Sequence, residues 1–583
     1  MKSEYSDFSG INGGAPSANA IVKDDVNEVT YEGFRLSIAQ EINENWEALA
    51  TFANQTIESD GVFFADPTLG DLEVQRYHND TLEDEFDNLS LTIEGSIGDL
   101  EIVYAGAYTD RNSEQTIDYT DYLFVGQYLP YYICDYYVSY PTSNAEKLGA
   151  VDGGAGLAYL GRPYGDCGAP DMYVDSLTDS KVKTHEIRIN APISDTMSLT
   201  AGVFMSDLEL LEHNKFTYPG ALVSDVNWGV NHVLTDTSVY GYQALLSKGA
   251  LKSKQYAAEG WTSGRGPYMP PVMFVNDIKR TDKKRGVFGE LSIDMSDTIE
   301  LTLGARWYDI ETDLEGSANA SFGTGFGGGD QQRFGTNLSA AFNEPGVVTG
   351  NPFIDALDYP DKAESDGVIG KATLSWNKSE DVMYYVTWSE GFRPGLLNRP
   401  AGQSTPDGSY TVRPVTDSDE VTNYEFGWKS VLQDGRLRFN GSVFMVDISG
   451  LQTTIFDPSI ANLFFSDNAA DAEILGLEGD FVYYPSIDGL MLSGAFSILN
   501  TEIEKSLTTS DVIAGKDLAF APSFQANVAA RYEWGLSSGN LGHVQGQVNI
   551  SDESFSDICS GKFCLREKRI YIFFAMTENV PPM

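Results

Sequence analysis

Hydrophobic and polar residues alternate in short runs along most of the chain, and the runs come in pairs. In the first pair Phe34, Leu36 and Ile38 point one way while Arg35 and Ser37 point the other. A turn at Asn43-Glu44-Asn45 follows, then Trp46, Ala48, Ala50 and Phe52. A period of two marks a strand with two unlike faces, and two such runs about a short polar turn make a hairpin. Leu89, Leu91 and Ile93 lead through Gly98-Asp99 to Leu100, Ile102, Tyr104 and Tyr108. The pattern returns around Ser194-Asp195, Ser296-Asp297, residues 377–381, Gln433-Asp434-Gly435 and residues 485–489, and once more between 524–534 and 541–550. Eight hairpins predict about sixteen strands of roughly ten residues each.

The connections between hairpins are of another kind. Residues 112–183, 207–285 and 314–346 are three of them, the last polar and carrying Gly327-Gly328-Gly329. Ordinary connections take about 2–6 residues. Short turns thus alternate with long loops, as expected where tight periplasmic turns occupy one rim of a barrel and extracellular loops the other. The predicted fold is all-β, a large antiparallel transmembrane β-barrel. The Asn43-Glu44-Asn45 turn and the loop containing Cys134 are expected at opposite rims. Leu301 and Leu303 are expected to face lipid. Thr302, Arg35, Glu290, Arg306, Glu425, Lys429 and Glu478 are expected to face a wet lumen. Trp46, Trp307, Trp376 and Trp428 suit an interfacial girdle, though each could be an ordinary sheet aromatic.

Composition narrows this picture by exclusion. Of 583 residues 85 are acidic and 38 basic, a net charge of −47 that argues against nucleic acid as a partner. No apolar run approaches the eighteen or so residues that a transmembrane helix needs. Tyr and Phe at 31 each, with 8 Trp and 57 Gly, suit an aromatic, turn-rich β protein. A soluble acidic β-rich adhesin or binding module is compatible with these numbers alone.

Four stretches resemble TonB-dependent outer-membrane receptors. They are YYVTWSEGFRPGLLNRP from Tyr384, EVTNYEFGWKSVLQDGRLRFNGSVFMVDISGLQT from Glu420, VFGELSIDMSDTIELTLGARWYDIET from Val287, and NAADAEILGLEGDF from Asn468, the last followed by Ala521-Pro522-Ser523-Phe524. After Pro394-Gly395 the family often has a second Gly where this chain has Leu396. The resemblance implies a barrel of 22 strands, a plug domain and a TonB box. It also implies import of a scarce ligand: a ferric siderophore, haem, cobalamin or an oligosaccharide. Its partners would be outer-membrane lipid and lipopolysaccharide, the TonB complex and the small-molecule ligand. Its location would be the bacterial outer membrane. No plug-like segment or TonB box is visible before Tyr31. A passive plugless porin is the alternative transporter.

The chemistry-bearing residues add little. Cys134 and Cys167 share one long outer loop in an oxidising compartment and are expected to form a disulfide. Free thiols or a zinc pair are the alternatives, but no His lies near in sequence. His78, His185, His213, His232 and His543 offer no haem or metal cluster, and His185 is expected to face the lumen. Asp80, Glu83, Asp84, Glu85 and Asp87 lack EF-hand spacing and read as a solvated acidic loop. Residues 325–329 lack the Lys-Ser/Thr of a phosphate loop. No nucleophile–base arrangement points to an enzyme, and no cofactor is expected.

Both ends are expected to depart from the barrel. Residues 1–30 read as a polar loop or truncated start, without the apolar segment of a signal peptide. The barrel is expected over 31–557. From 558 alternation stops, Cys559 and Cys564 occur, and Ile570-Tyr571-Ile572-Phe573-Phe574 is apolar on both faces. Residues 558–583 are therefore expected to be a non-native, frameshifted tail.

Overall fold

The structure, a computed structural model, describes residues 2–5, 22–64, 69, 72–76, 78–120, 172–217, 272–320, 362–399, 401–402, 404–405, 407–455, 464–507, 514–536, 541–555 and 569–580. Its strands are β1 (Lys2–Tyr5) and β2 (Val22–Asp24), then the hairpin β3 (Asn27–Asn43) and β4 (Trp46–Gly61), and a short β5 (Glu73–Arg76). Further hairpins are β6 (Thr81–Ile97) with β7 (Leu100–Asp118), β8 (Tyr173–Ser194) with β9 (Met197–Thr217), and β10 (Val272–Ser296) with β11 (Ile299–Ala320). β12 (Lys362–Ser379) pairs with β13 (Val382–Arg393), β14 (Asp419–Leu432) with β15 (Leu437–Ile455), and β16 (Phe465–Tyr483) with β17 (Leu490–Ser506). β18 (Phe524–Gly535), β19 (Leu541–Ser551) and β20 (Arg569–Val580) complete the order.

Among the described residues seventeen strands close into one barrel, and β2-β1-β5 form a separate small sheet. All eight predicted hairpins are present, and each next pair is antiparallel, as between β4 and β6 or β11 and β12. Every connection therefore switches rims. The turn after Asn43 lies at one rim, and Asp118 and Tyr173, the paired strand ends that flank the stretch containing Cys134, lie at the other. Seventeen is odd, so β20 and β3, which the circle brings side by side, run in the same direction.

Three expectations change. Among the described residues the barrel has seventeen strands, the last of them Arg569–Val580, which pairs along β19 from Ser551↔Arg569 to Leu541↔Val580. A backbone ladder needs N–H and C=O groups, not alternation, so a run apolar on both faces still enters it. The first thirty residues are not one loop, because β1 pairs with β2 and with β5, and β3 begins at Asn27. The strands are also much longer than ten residues, reaching 25 in β10. Their outer ends are polar on the outside, so the hydrophobic pattern fades before the pairing does.

The short turns explain themselves locally. The Asn43 side chain accepts the Asn45 N–H at 2.9 Å, and Ser194, Ser296 and Ser379 hydroxyls accept the N–H two residues on at 3.3 Å. Short polar side chains there complete the turn without a longer loop. At Gln433, Asp434 and Gly435 the backbone is left-handed three times in succession (φ 55°, 56° and 84°).

Register is fixed by a second device. Trp46 lies opposite Gly95, Tyr385 opposite Gly427, Trp428 opposite Gly441, Phe444 opposite Gly476 and Trp534 opposite Gly542. In each pair the ring occupies the space a Cβ on the glycine would need. The aromatic folds flat over its neighbour and covers a backbone that lacks a side chain. A slip by one residue would drive the ring into a real Cβ.

Candidate functional site: the lumen and its mouth

In the half of the barrel nearest the short turns, the two faces follow the predicted alternation. Leu36, Ile38, Leu89, Leu303, Leu374, Val386, Phe426, Val443 and Ile498 are exposed on the outside. Exposed apolar side chains in a continuous band are destabilising in water and appropriate in lipid. The opposite face is polar. Thr302 lies on it with Glu300, to which its hydroxyl donates at 3.3 Å, and Lys371 meets Glu290 at 2.7 Å. Thr373 and Thr387 hydroxyls bond at 2.9 Å, Ser37 and Thr51 at 3.0 Å, and Tyr385 donates to Glu425. Between β13 and β19 this wall holds a cavity of about 730 Å³, lined by Lys429, Asn440, Glu478, Asp480, Asn527 and Asn549 among others. Such a wall is fit for water and polar solutes.

Toward the long loops the polarity inverts. The outward face of β10–β12 carries Lys279–Glu315 at 2.5 Å, Lys283–Glu311 at 3.0 Å and Lys362–Glu311 at 3.1 Å. Glu58, Glu83 and Glu114 stand directly opposite one another on β4, β6 and β7 and line a cavity of about 800 Å³. The inward face becomes apolar. Phe274, Ile278 and Leu314 pack there with buried Ala363 and Leu397.

Leu397 belongs to the connection from β13 to β14, which folds back as an irregular hairpin strap. Its arms are joined by bridges Leu397↔Val415 and Ser404↔Thr411 and by Thr416 N–H donating to the Leu396 carbonyl at 2.9 Å. Gly395 is required here, because a Cβ would strike the Thr416 carbonyl oxygen. One side of the strap meets β10–β12. Gly395 N–H donates to the Ser365 hydroxyl at 3.1 Å, and the Arg399 guanidinium donates to Asn276 Oδ1 at 2.9 Å. The other side meets β15–β17. Val412 joins Ile455, Phe465, Ala469, Ala470 and Ile503 in a buried cluster. Asn398 exchanges hydrogen bonds with the Ser466 backbone, and Tyr410 donates to Asp467 at 2.6 Å. At the root Arg393 pairs with buried Asp419, and the Gln452 amide donates to the Pro394 and Asp417 carbonyls.

The strap's titrating groups follow their surroundings. Burial pushes the Tyr410 phenol up, with Asp467 adding to it. Burial pushes the Arg399 guanidinium down, against the pull of Glu212. The hydroxyls of Thr405 and Ser409 hold Asp407, at the strap's tip, down at about 2.

Cys134 and Cys167, the expected disulfide pair, lie outside the described residues, as do Cys559, Cys564 and residues 325–329. His185 is a correction. It shares a strand face with Ile187 and Ile189, the exposed outer face, and its Nδ1 bonds the Tyr104 hydroxyl at 2.9 Å. The acidic run is a second correction. Glu83, Asp84, Glu85 and Asp87 are on strand β6, not in a loop, with Asp84 buried and bonded by Arg111 at 2.6 Å. Asp80 is buried too, accepting from Arg76 Nε at 2.8 Å and Nη2 at 2.7 Å, while Arg76 Nη2 also donates to the Asp118 carbonyl at 3.0 Å. Sequence reasoning missed this clasp and the strap. Asp407-Gly408 between Leu397 and Val412 was the available turn signal for the strap. Among the described residues no group of three or more His, Cys, Asp or Glu is placed to hold a metal ion.

Solved structures share this architecture at low identity. The ferric yersiniabactin uptake receptor of Yersinia pestis aligns over 97% of this chain and 64% of its own, with 11% identity and a TM-score of 0.58. The siderophore receptor PiuA of Acinetobacter baumannii aligns over 95% and 68%, with 14% identity and a TM-score of 0.56. The ferric preacinetobactin receptor of the same species aligns over 94% and 65%, with 13% identity and a TM-score of 0.54. The chain thus spans about two thirds of the length of these receptors. A family model for the β-barrel of TonB-dependent receptors matches residues 15–558. With that match covering most of its length, the chain belongs to the TonB-dependent receptor family, as the barrel of such a receptor.

Proposed function

We propose that this chain is the barrel of a bacterial outer-membrane receptor that imports a scarce small-molecule ligand, such as a ferric siderophore, with energy delivered through TonB. The observation that carries the reading is the closed barrel with an apolar exterior band, a polar lumen and a structured mouth. Two of the similar receptors are named for ferric chelates and the third for a siderophore, which supports that class while leaving cobalamin and oligosaccharides as outcomes of the test. Outer-membrane lipid and lipopolysaccharide would meet the apolar band and the polar ends above it. Residues 31–557 would supply most of the wall. The Cys134–Cys167 bridge would brace the largest outer loop.

Uptake of radio-iron chelates by cells carrying the receptor, with and without TonB, tests the proposal. Saturable uptake lost without TonB is expected. Uptake that survives the loss of TonB would instead favour a passive porin. Recovery of the folded protein in the soluble fraction would favour an adhesin and overturn both.

A further inference from the structure

Where the apolar band ends, the outer face of the barrel differs in charge from one sector to the next. On β8, β9 and β10 the band finishes in exposed Ile187, Val203 and Val287, which pair straight across. Above that row Arg285 stands beside Met205, then Lys183 and Lys283 flank Asp207, then Lys181 stands beside Glu209. Four cations stand there against two acids, in a chain of net charge −47. On β4, β6 and β7 the outward rows beyond Phe52, Leu89 and Tyr108 pass through Asn54, Asp87 and Asp110 to Glu58, Glu83 and Glu114, with no cation among the described residues. Two of the four cations are spoken for at the flanks, Lys181 by Asp110 at 3.8 Å and Lys283 by Glu311 at 3.0 Å. Lys183 and Arg285 are exposed. Among the described residues neither is in an ion pair, although Asp207 and Asp309 lie directly across from them.

We propose that Arg285 and Lys183 bind the phosphate of a lipid headgroup, whose acyl chains lie on the row of Ile187, Val203 and Val287. The inference rests on reading this barrel as a membrane protein and adds to that reading a lipid class and a place. Height supports it. A strand rises about 3.3 Å per residue, which a tilt of about 45° reduces to about 2.3 Å. Arg285, two residues beyond Val287, is then about 5 Å above the last apolar row, and Lys183, four residues from Ile187, about 9 Å. The headgroup layer is about 5–8 Å thick on each side of the hydrocarbon, so Arg285 stands within it and Lys183 at its upper edge, with an apolar stem long enough to reach down. β8 and β10 are about 10 Å apart with β9 between them, a gap that two long side chains close from opposite sides over Met205. Arg285 offers a planar fork to two phosphate oxygens, and Lys183 a point charge. Standing against the band, the pair meets anions held in the membrane, which commits the site to a lipid rather than to free phosphate. The acidic rows of β4, β6 and β7 would repel the same headgroup.

Lipid photolabelling tests it. The full chain is refolded into phosphatidylcholine vesicles that carry a trace of phosphatidic acid with a photoreactive acyl chain, or the same label on phosphatidylcholine. Labelled peptides are then quantified by mass. The phosphatidic acid label should concentrate on β8–β10 over β4–β7, and the phosphatidylcholine label should spread evenly. Arg285→Gln and Lys183→Gln should each lower the phosphatidic acid label on β8–β10 roughly fivefold, the change expected for one cation at a charged lipid surface. Arg285→Lys, which keeps the charge, should retain most of it. If Arg285→Gln does not fold, Lys183→Gln carries the same expectation. Even labelling by phosphatidic acid around the barrel, or labelling that neither Gln substitution lowers, would overturn the site while leaving the barrel in the membrane. Displacement of the label by excess inorganic phosphate would assign the patch to free phosphate and overturn the lipid. A chain that takes no label from either lipid is outside the membrane, and that result overturns the barrel reading and this inference together.

Discussion

The half of the barrel by the short turns and the half by the long loops are built from the same strands, yet their faces are opposite. On β11, Leu303 is exposed on the outside and Thr302 faces the lumen. Further along that strand Glu311 faces outward into a pair of lysines, and Leu314 faces inward against the strap. The backbone ladder runs through both halves without a break between Asp313↔Lys362 and Ile299↔Trp376. What changes is the solvent. Pairing satisfies the backbone in lipid and in water alike, and the side chains are sorted by what lies on each side. One half is an inside-out protein and the other an ordinary one with a small core.

The strongest test of this inversion is a charge in the band. Leu303→Arg should destabilise the barrel by about 2–4 kcal/mol, and Thr302→Arg by much less, when refolding into vesicles is titrated with urea. The same substitution at outward Glu311 should cost little beyond its lost ion pairs. Equal losses at 302 and 303 would mean the faces are misassigned.

Glycine seats are independent of solvent, so they should matter wherever a ring fills one. At Gly441 an added Cβ would lie 2.7 Å from the Glu478 carbonyl oxygen as well as against the Trp428 ring. The carbonyl belongs to a neighbouring strand and cannot swing aside. Gly441→Ala should therefore cost about 1–3 kcal/mol in the same assay, as overpacking does. No change in the urea midpoint would show that the ring and strand can shift without loss.

How much was legible in the sequence follows from the same comparison. Leu301, Leu303 and Thr302 could be placed because the band alternates against lipid. Asp84, Glu85 and Asp87 could not, because a strand whose outer face meets water and whose inner face holds a buried Asp84 tied to Arg111 reads as a run of acids. His185 was misplaced for a related reason. A polar side chain is expected inside a barrel, and nothing in the sequence shows that Tyr104 will partner it outside. Arg569–Val580 was excluded for lacking alternation, though pairing alone admits it. The strap escaped notice because its anchors on the wall, Ala363, Phe465 and Ile503, come from three separate stretches that only the closed barrel brings together.

A smaller effect belongs to the mouth's own core. Tyr410 donates to Asp467, which is buried, so Tyr410→Phe leaves a carboxylate short of a donor and should loosen the strap by about 1–2 kcal/mol. The phenol is held above its ordinary value. Its neutral form is therefore favoured in the folded state, and the contribution is fully present below the unfolded tyrosine value of about 10. It is lost as pH rises from there toward the folded value. Limited proteolysis of the strap should be flat from pH 7 to about 9 and faster above about 10, and Tyr410→Phe should remove that rise. A rise that persists in the variant would assign it to another group.

The smallest effect locates the boundary between the halves. Lys283 and Lys362 both meet Glu311, with the three side chains 42%, 35% and 28% exposed. If water covers this outer surface, the pairs are screened and flexible, and Lys283→Met should cost under about 1 kcal/mol, shrinking further in high salt. If lipid reached this height, the same change would remove a charge from an apolar medium and stabilise the barrel in vesicles. The two environments thus predict opposite signs for one substitution. A small loss that fades with salt places Lys283 above the membrane and the inversion below it on β10. A gain would move the edge of the band upward by the distance from Val287, the nearest exposed apolar residue on that face, to Lys283.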